Sequence, residues 1–149
     1  MQILKRYWRI IFPIIIGLVI WAFSSQTGDI SDEQSLRFAE YFGISNLAAR
    51  KFAHVILFSA FGYAVTSFVK GLHPNLFPTY SLVIYPMIAV TVYGAIDEVH
   101  QLTVAGRTAL VGDVVIDTLA GICGILAYVA IFCFFRRLRI RIAYARANQ

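Results

Sequence analysis

Charge is scarce in this chain, at 14% of residues, and negative charge is scarcest, with 8 Asp and Glu against 13 Lys and Arg. Hydrophobic residues make up 59% and the mean hydropathy is +0.71. A soluble domain carries about 25% charged residues, so this balance excludes one and predicts an integral membrane protein. There are only two cysteines, Cys123 and Cys133, ten positions apart in one apolar segment. At about 100° per residue they face different ways, which excludes a disulfide between them and leaves them as packing residues. No small-residue cleavage site of A-x-A type follows the first apolar segment, which therefore reads as a retained helix and not a signal peptide. There is no internal repeat and no low-complexity tract. No G-x-x-x-x-G-K-[ST] phosphate loop accompanies Asp97-Glu98-Val99-His100, so its likeness to the acidic motif of helicases carries no weight.

Four segments are long and apolar enough to cross a membrane, which takes on the order of 20 residues each. They are 8–23, 52–69, 80–97 and 109–135, and together they predict a single all-α membrane domain over residues 1–149, with a basic tail from 136 onward. Nine basic residues (Lys5, Arg6, Arg9, Lys70, Arg136, Arg137, Arg139, Arg141, Arg146) fall on one side of that arrangement and four (Arg37, Arg50, Lys51, Arg107) on the other. Lys and Arg are retained in the cytoplasm, so both termini are expected there. The topology also accounts for the pI near 9.5, through attraction of the basic tail to anionic lipid, and nucleic acid is not an expected partner because no recognition fold accompanies the basic residues.

In the first outer loop, Ser31-Asp32-Glu33-Gln34 fits a capping box, Leu36, Ala39 and Phe42 recur at helical spacing, and Gly43 supplies a stop. A short amphipathic helix on the outer membrane surface is expected. The inner loop, 70–79, is broken by Pro74 and Pro78, and His73 within it is an ordinary exposed residue. Pro13 and Pro86 stand inside apolar segments, where a kink is tolerated if neighbours satisfy the freed carbonyls.

All eight acids lie in the outer loops or on the adjoining helix ends, and two of them, Asp113 and Asp117, are embedded in the last apolar run. A charge at a helix centre there costs roughly 2.5–3.5 kcal/mol, so such residues point to a site. Asp97 shares a helical face with His100 and Gln101, with Glu98 directed elsewhere, and Lys51 and His54 share another face. Asp113, Asp117 and Gly121 form a stripe, with Asp117 some 12 Å below a helix start at Ala109, and Gly121 and Gly124 permit close approach of another helix. These helix ends meet at one leaflet. The set supplies cations for an anionic group, a histidine for proton transfer, and carboxylates in apolar surroundings. An alternative is that Lys51 or Arg107 merely neutralises Asp113 and Asp117 and pins the helices together. A metal site built from His54, His100 and some of the carboxylates is less favoured, because no H-E-x-x-H or Cys/His spacing is present.

The chain resembles the VanZ-like family, named for the teicoplanin-resistance protein. The resemblance rests on Trp21-Ala22-Phe23-Ser24-Ser25-Gln26, Lys51-Phe52-Ala53-His54 with Phe58, Asp97-Glu98-Val99-His100-Gln101, Gly106-Arg107, and Asp113 with Asp117 and Gly121, in that order. It departs where family members commonly have a Pro before the Gly-Arg pair, here Ala105, and often an Asn where this chain has Asp117. The resemblance implies a small multi-helix membrane protein and a link to glycopeptide susceptibility at the outer cell surface.

The combined expectation is a four-helix cell-membrane protein whose outward polar recess binds or acts on a lipid-linked or anionic envelope substrate, with membrane lipids as neighbours. In an enzyme, hydrolysis or group transfer would use His54, Asp97, His100 and Asp113 as catalytic residues. Lys51, Glu98, Gln101, Arg107, Gln26 and Asp117 would bind substrate. A non-catalytic subunit of envelope machinery is the alternative. A proton-coupled carrier ranks third for want of an inverted repeat. Whether a metal cofactor is used, and the oligomeric state, stay open at this level.

Overall fold

The computed structural model describes residues 2–73 and 80–148, without the side chains of residues 2–6. Among the described residues there are five helices and no strand: α1 (Gln2–Ser24), α2 (Gly28–Phe42), α3 (Asn46–Leu72), α4 (Tyr80–Gln101) and α5 (Val111–Ala147). All but α2 are long and apolar enough to cross a membrane. Pro74 and Pro78, expected to break the inner loop, lie outside the described residues, as do the side chains of Lys5 and Arg6. His73 ends α3 and is exposed.

The helices outrun the apolar segments because polar ends continue them. Ser45 caps α3, its hydroxyl accepting the N–H of Ala48 at 3.2 Å, so the helix starts six residues before Phe52. Helix α5 begins at Val111, two residues later than the apolar run suggests, because the Glu98 carboxylate accepts the Leu110 N–H at 2.9 Å and holds the preceding residues outside the helix. Asp117 is therefore about 9 Å below the start of α5, shallower than the expected 12 Å. Helix α2 starts at Gly28 behind Thr27, so the predicted capping box at Ser31 is not its beginning, and Ser31 is already hydrogen-bonded within the helix. Gly43 does end it, in the left-handed region at φ 66°, with its N–H returned to Ala39 and Glu40.

The bundle is apolar on its outer surface as well as in its core. Large side chains such as Ile14, Leu18, Ile88, Val92, Leu119 and Leu126 are exposed on the spanning helices, and buried positions include Asp97, Glu98, Gln101 and Asp117. With lipid as solvent on the outside there is no apolar driving force between helices, so close packing and polar contacts hold them. Helix α3 is the centre. Its Gly62 backs onto the Gly121 carbonyl of α5, Gly124 of α5 backs onto the Ser59 carbonyl, and the Ser59 hydroxyl donates to Ala120 at 2.9 Å. Tyr93 of α4 donates to the Gly17 carbonyl of α1 at 2.6 Å. Phe58, Phe61, Val65, Val90 and Ile20 fill the space between α1, α3 and α4.

Candidate functional site

The end of the bundle that carries α2 gathers nearly all the polar chemistry. Its floor is Asp97, one turn from the end of α4 and completely buried, at 0% exposure. Its Oδ2 accepts from the Ser24 hydroxyl of α1 at 2.8 Å and from the Gln101 amide at 2.9 Å, while Oδ1 has no partner among the described residues. Asp117, 1% exposed, lies beside it from α5. The His54 Nδ1 of α3 stands 3.3 and 3.4 Å from its two carboxylate oxygens. The Asp117 side chain packs beside Gly94, one turn before Asp97.

Around this floor the other charges are tied to different tasks. Lys51 is paired with Asp113 at the start of α5. Arg107 donates to the Phe23 carbonyl at 3.0 Å and the Gln26 carbonyl at 3.2 Å, closing the C-terminal end of α1. Burial pushes its guanidinium below the usual arginine range, and neighbouring Arg50 adds to that, against the opposite pull of Asp97, Asp32 and Glu98. His100 is stacked on Trp21, with ring centroids 3.8 Å apart, and its Nε2 is 2.9 Å from the Ser25 hydroxyl, so it joins α4 to α1 and does not enter the His54 cluster. Glu98 is directed away from Asp97 as the helical wheel requires, yet it is buried: one oxygen holds Leu110 and Oε1 has no partner among the described residues.

Above the floor lies a cavity of about 290 Å³ between α1, α2 and α3. Its polar lining includes Ser24, Gln26, Gln34, Arg50, His54 and Arg107, and its apolar lining comes from Ile20, Phe23, Phe38, Phe52 and Leu57 among others. Helix α2 covers one side. It is anchored where the Gly28 N–H donates to Ala105 at 3.0 Å and the Gly28 and Gly106 backbones touch, with Gly106 at φ 75°; no side chain fits between them. Arg50 also reaches α2 through Asp32, at 3.0 Å.

Of the sequence-derived candidates, His54, Gln26 and Arg107 face the cavity. Asp97, Gln101 and Asp117 do not line it but lie behind the lining residues Ser24 and His54, and Lys51, Asp113, Glu98 and His100 are engaged elsewhere at the same end. Of the cations offered for the two acids of α5, Lys51 meets Asp113, whereas Asp117 is met by His54 and by neither Lys51 nor Arg107. Sequence reasoning assigned no role to Ser24, Ser25 or Arg50. The two serines were visible only as part of the Trp21 to Gln26 block, and Arg50 adjoins the Lys51 block. Both cysteines are free.

A family model described as VanZ/LLP1 matches residues 9–135. No curated protein and no solved structure matches the chain.

Proposed function

The chain belongs to the VanZ/LLP1 family, and from that premise we propose that the cavity beneath α2 receives an anionic, lipid-linked molecule of the cell envelope at the outer membrane face. One observation carries the reading: Arg50, Arg107 and His54 line one cavity together with Phe23, Phe38, Phe52 and Leu57. Cations beside an apolar wall suit an amphiphile whose headgroup is negative and whose chain runs on into lipid. At about 290 Å³ the space is at the small end for ligand pockets, roughly 300–1,000 Å³, and fits a headgroup with the first part of its chain. Outward orientation is supported by the basic residues gathered toward the opposite end and the tail, including Lys70, Arg136 and Arg137.

In this reading His54, oriented by Asp117, carries a proton to or from the ligand, and Arg50 and Arg107 stabilise negative charge, as hydrolysis or group transfer at a phosphate or acyl linkage requires. Effects on glycopeptide susceptibility would follow from changed envelope lipid. The second reading, a non-catalytic binder or assembly subunit, is favoured by the bonds of Arg107 to two backbone carbonyls and of Lys51 to Asp113, which spend much of the positive charge on holding helices together.

Native mass spectrometry of protein released from bacterial membranes tests the occupant. Anionic amphiphiles should co-purify with the wild type and fall at least several-fold in Arg50→Gln, with the helical content unchanged. Equal retention by the variant rejects the cavity as the binding place. If the amphiphile binds and His54→Gln leaves teicoplanin susceptibility of an expressing strain as the wild type sets it, the binder reading replaces the enzymatic one.

A further inference from the structure

We propose that His54, Asp97 and Asp117 bind a divalent transition-metal cation of the zinc type directly beneath the cavity. Three observations converge on it. One donor atom from each of the three residues lies within 4.8 Å of the others. Tetrahedral coordination at about 2.0–2.2 Å sets ligand atoms roughly 3.4 Å apart. His54 and Asp117 already stand at 3.3 Å, and with all three donors within 4.8 Å the third residue has at most about 1.4 Å to close.

The second observation is charge. Asp97 and Asp117 are both buried, and neither has a Lys or Arg partner among the described residues: Lys51 is committed to Asp113, and Arg107 to carbonyls. One histidine faces two buried carboxylates, with the buried Glu98 close behind on the same helix. Buried charge must be paired or ligate a metal, and a doubly charged cation balances the pair outright.

The third is the state of Asp97 itself. One oxygen is fixed by Ser24 and Gln101, and the other is fully buried with no partner among the described residues. Such an arrangement is how a ligating carboxylate is held, braced through one oxygen and offered through the other. One nitrogen and two carboxylates form a borderline-hard donor set that suits zinc or its neighbours better than calcium, which prefers six or more oxygens. His54 also lines the cavity, which sets the cluster directly behind the cavity wall.

The site rests on its own geometry, and its test needs no lipid. Protein made without a histidine tag is stripped with chelator in detergent, then titrated with Zn²⁺ and separately with Co²⁺. Bound metal is counted by mass spectrometry, and the Co²⁺ visible spectrum is recorded. Expected are one equivalent per chain, a tetrahedral Co²⁺ band, and a raised Tm with Zn²⁺. Affinity should fall about 100-fold or more in Asp97→Asn and in His54→Gln, and about tenfold or more in Ser24→Ala, which touches no metal. The exposed-surface control Glu33→Gln should bind as the wild type does. Wild-type protein that takes up no stoichiometric metal overturns the proposal without recourse to any variant, and so does metal retained with an unchanged Co²⁺ spectrum in Asp97→Asn. A bound metal would make His54 a ligand in place of the proton carrier of the enzymatic reading, and neither result touches the Arg50 arm of the lipid experiment.

Discussion

At the residue scale, the acids of this protein divide by burial into two kinds. Asp113 meets Lys51 at a place where the two side chains keep 30% and 36% of their exposure, so water screens the pair and it is worth about 0–1 kcal/mol. Asp97 and Asp117 have no such relief. A double-mutant cycle with Lys51→Met and Asp113→Asn, read from unfolding in detergent, should therefore give a coupling below about 1 kcal/mol, far from the roughly 3–5 kcal/mol lost when a fully buried pair is broken. A coupling above 3 kcal/mol would make this pair the structural pin of the bundle. If Lys51→Met by itself also keeps the wild-type Tm, a loss of ligand retention in that variant reports on binding and not on folding.

At the scale of elements, the α3·α5 seam positions everything else. Along it Gly62 and Gly124 replace side chains with backbone contact, bringing His54 on α3 to within hydrogen-bond range of Asp117 on α5. A Cβ on Gly124 would overlap the Ser59 carbonyl and crowd the Tyr63 N–H, at 2.9 Å, and neither backbone atom can rotate away. Gly124→Val should lower stability by about 1–3 kcal/mol or more, seen as a reduced Tm in detergent and poor recovery of monodisperse protein. Gly112→Ala, on the same helix with nothing within 4 Å of the added methyl, should melt as the wild type or slightly higher. Equal Tm values for the two variants would show that the seam is not as tight as described. Gly121 and Gly124 were readable as small residues on a helix face, yet which helix they admit was not, since small-residue spacing names no partner.

At the scale of the whole molecule, polarity is split between the two ends. Lys70, Arg136 and Arg137 stand at one end, and α2, the cavity and the carboxylate floor at the other. If the basic end is cytoplasmic, a cysteine placed at Gln34 in a background lacking Cys123 and Cys133 should react with a membrane-impermeant maleimide in intact cells. One at Asn148 should react only after permeabilisation. The opposite pattern would put the cavity in the cytoplasm and remove the envelope substrate from consideration, while leaving the carboxylate–histidine cluster intact.

The sequence by itself determined the class and the ingredients. Four apolar runs cannot stay in water and cannot satisfy their backbones in lipid except as helices, so the number and type of spanning elements follow from composition and period alone. Acids set into an apolar run are costly wherever they end up, which is why Asp113 and Asp117 stand out without a structure. Which cation or hydroxyl each acid meets was decided only by tertiary packing. Ser24, His54 and Asp117 are separated by 30 residues or more and share no local pattern, and their meeting depends on the rotation and depth of α1, α3 and α5. Helix depth in turn is fixed by contacts such as Glu98 to Leu110 and by glycines that let backbones touch. Those contacts are invisible to periodicity because they join residues on different helices, where one residue's register is set by another's.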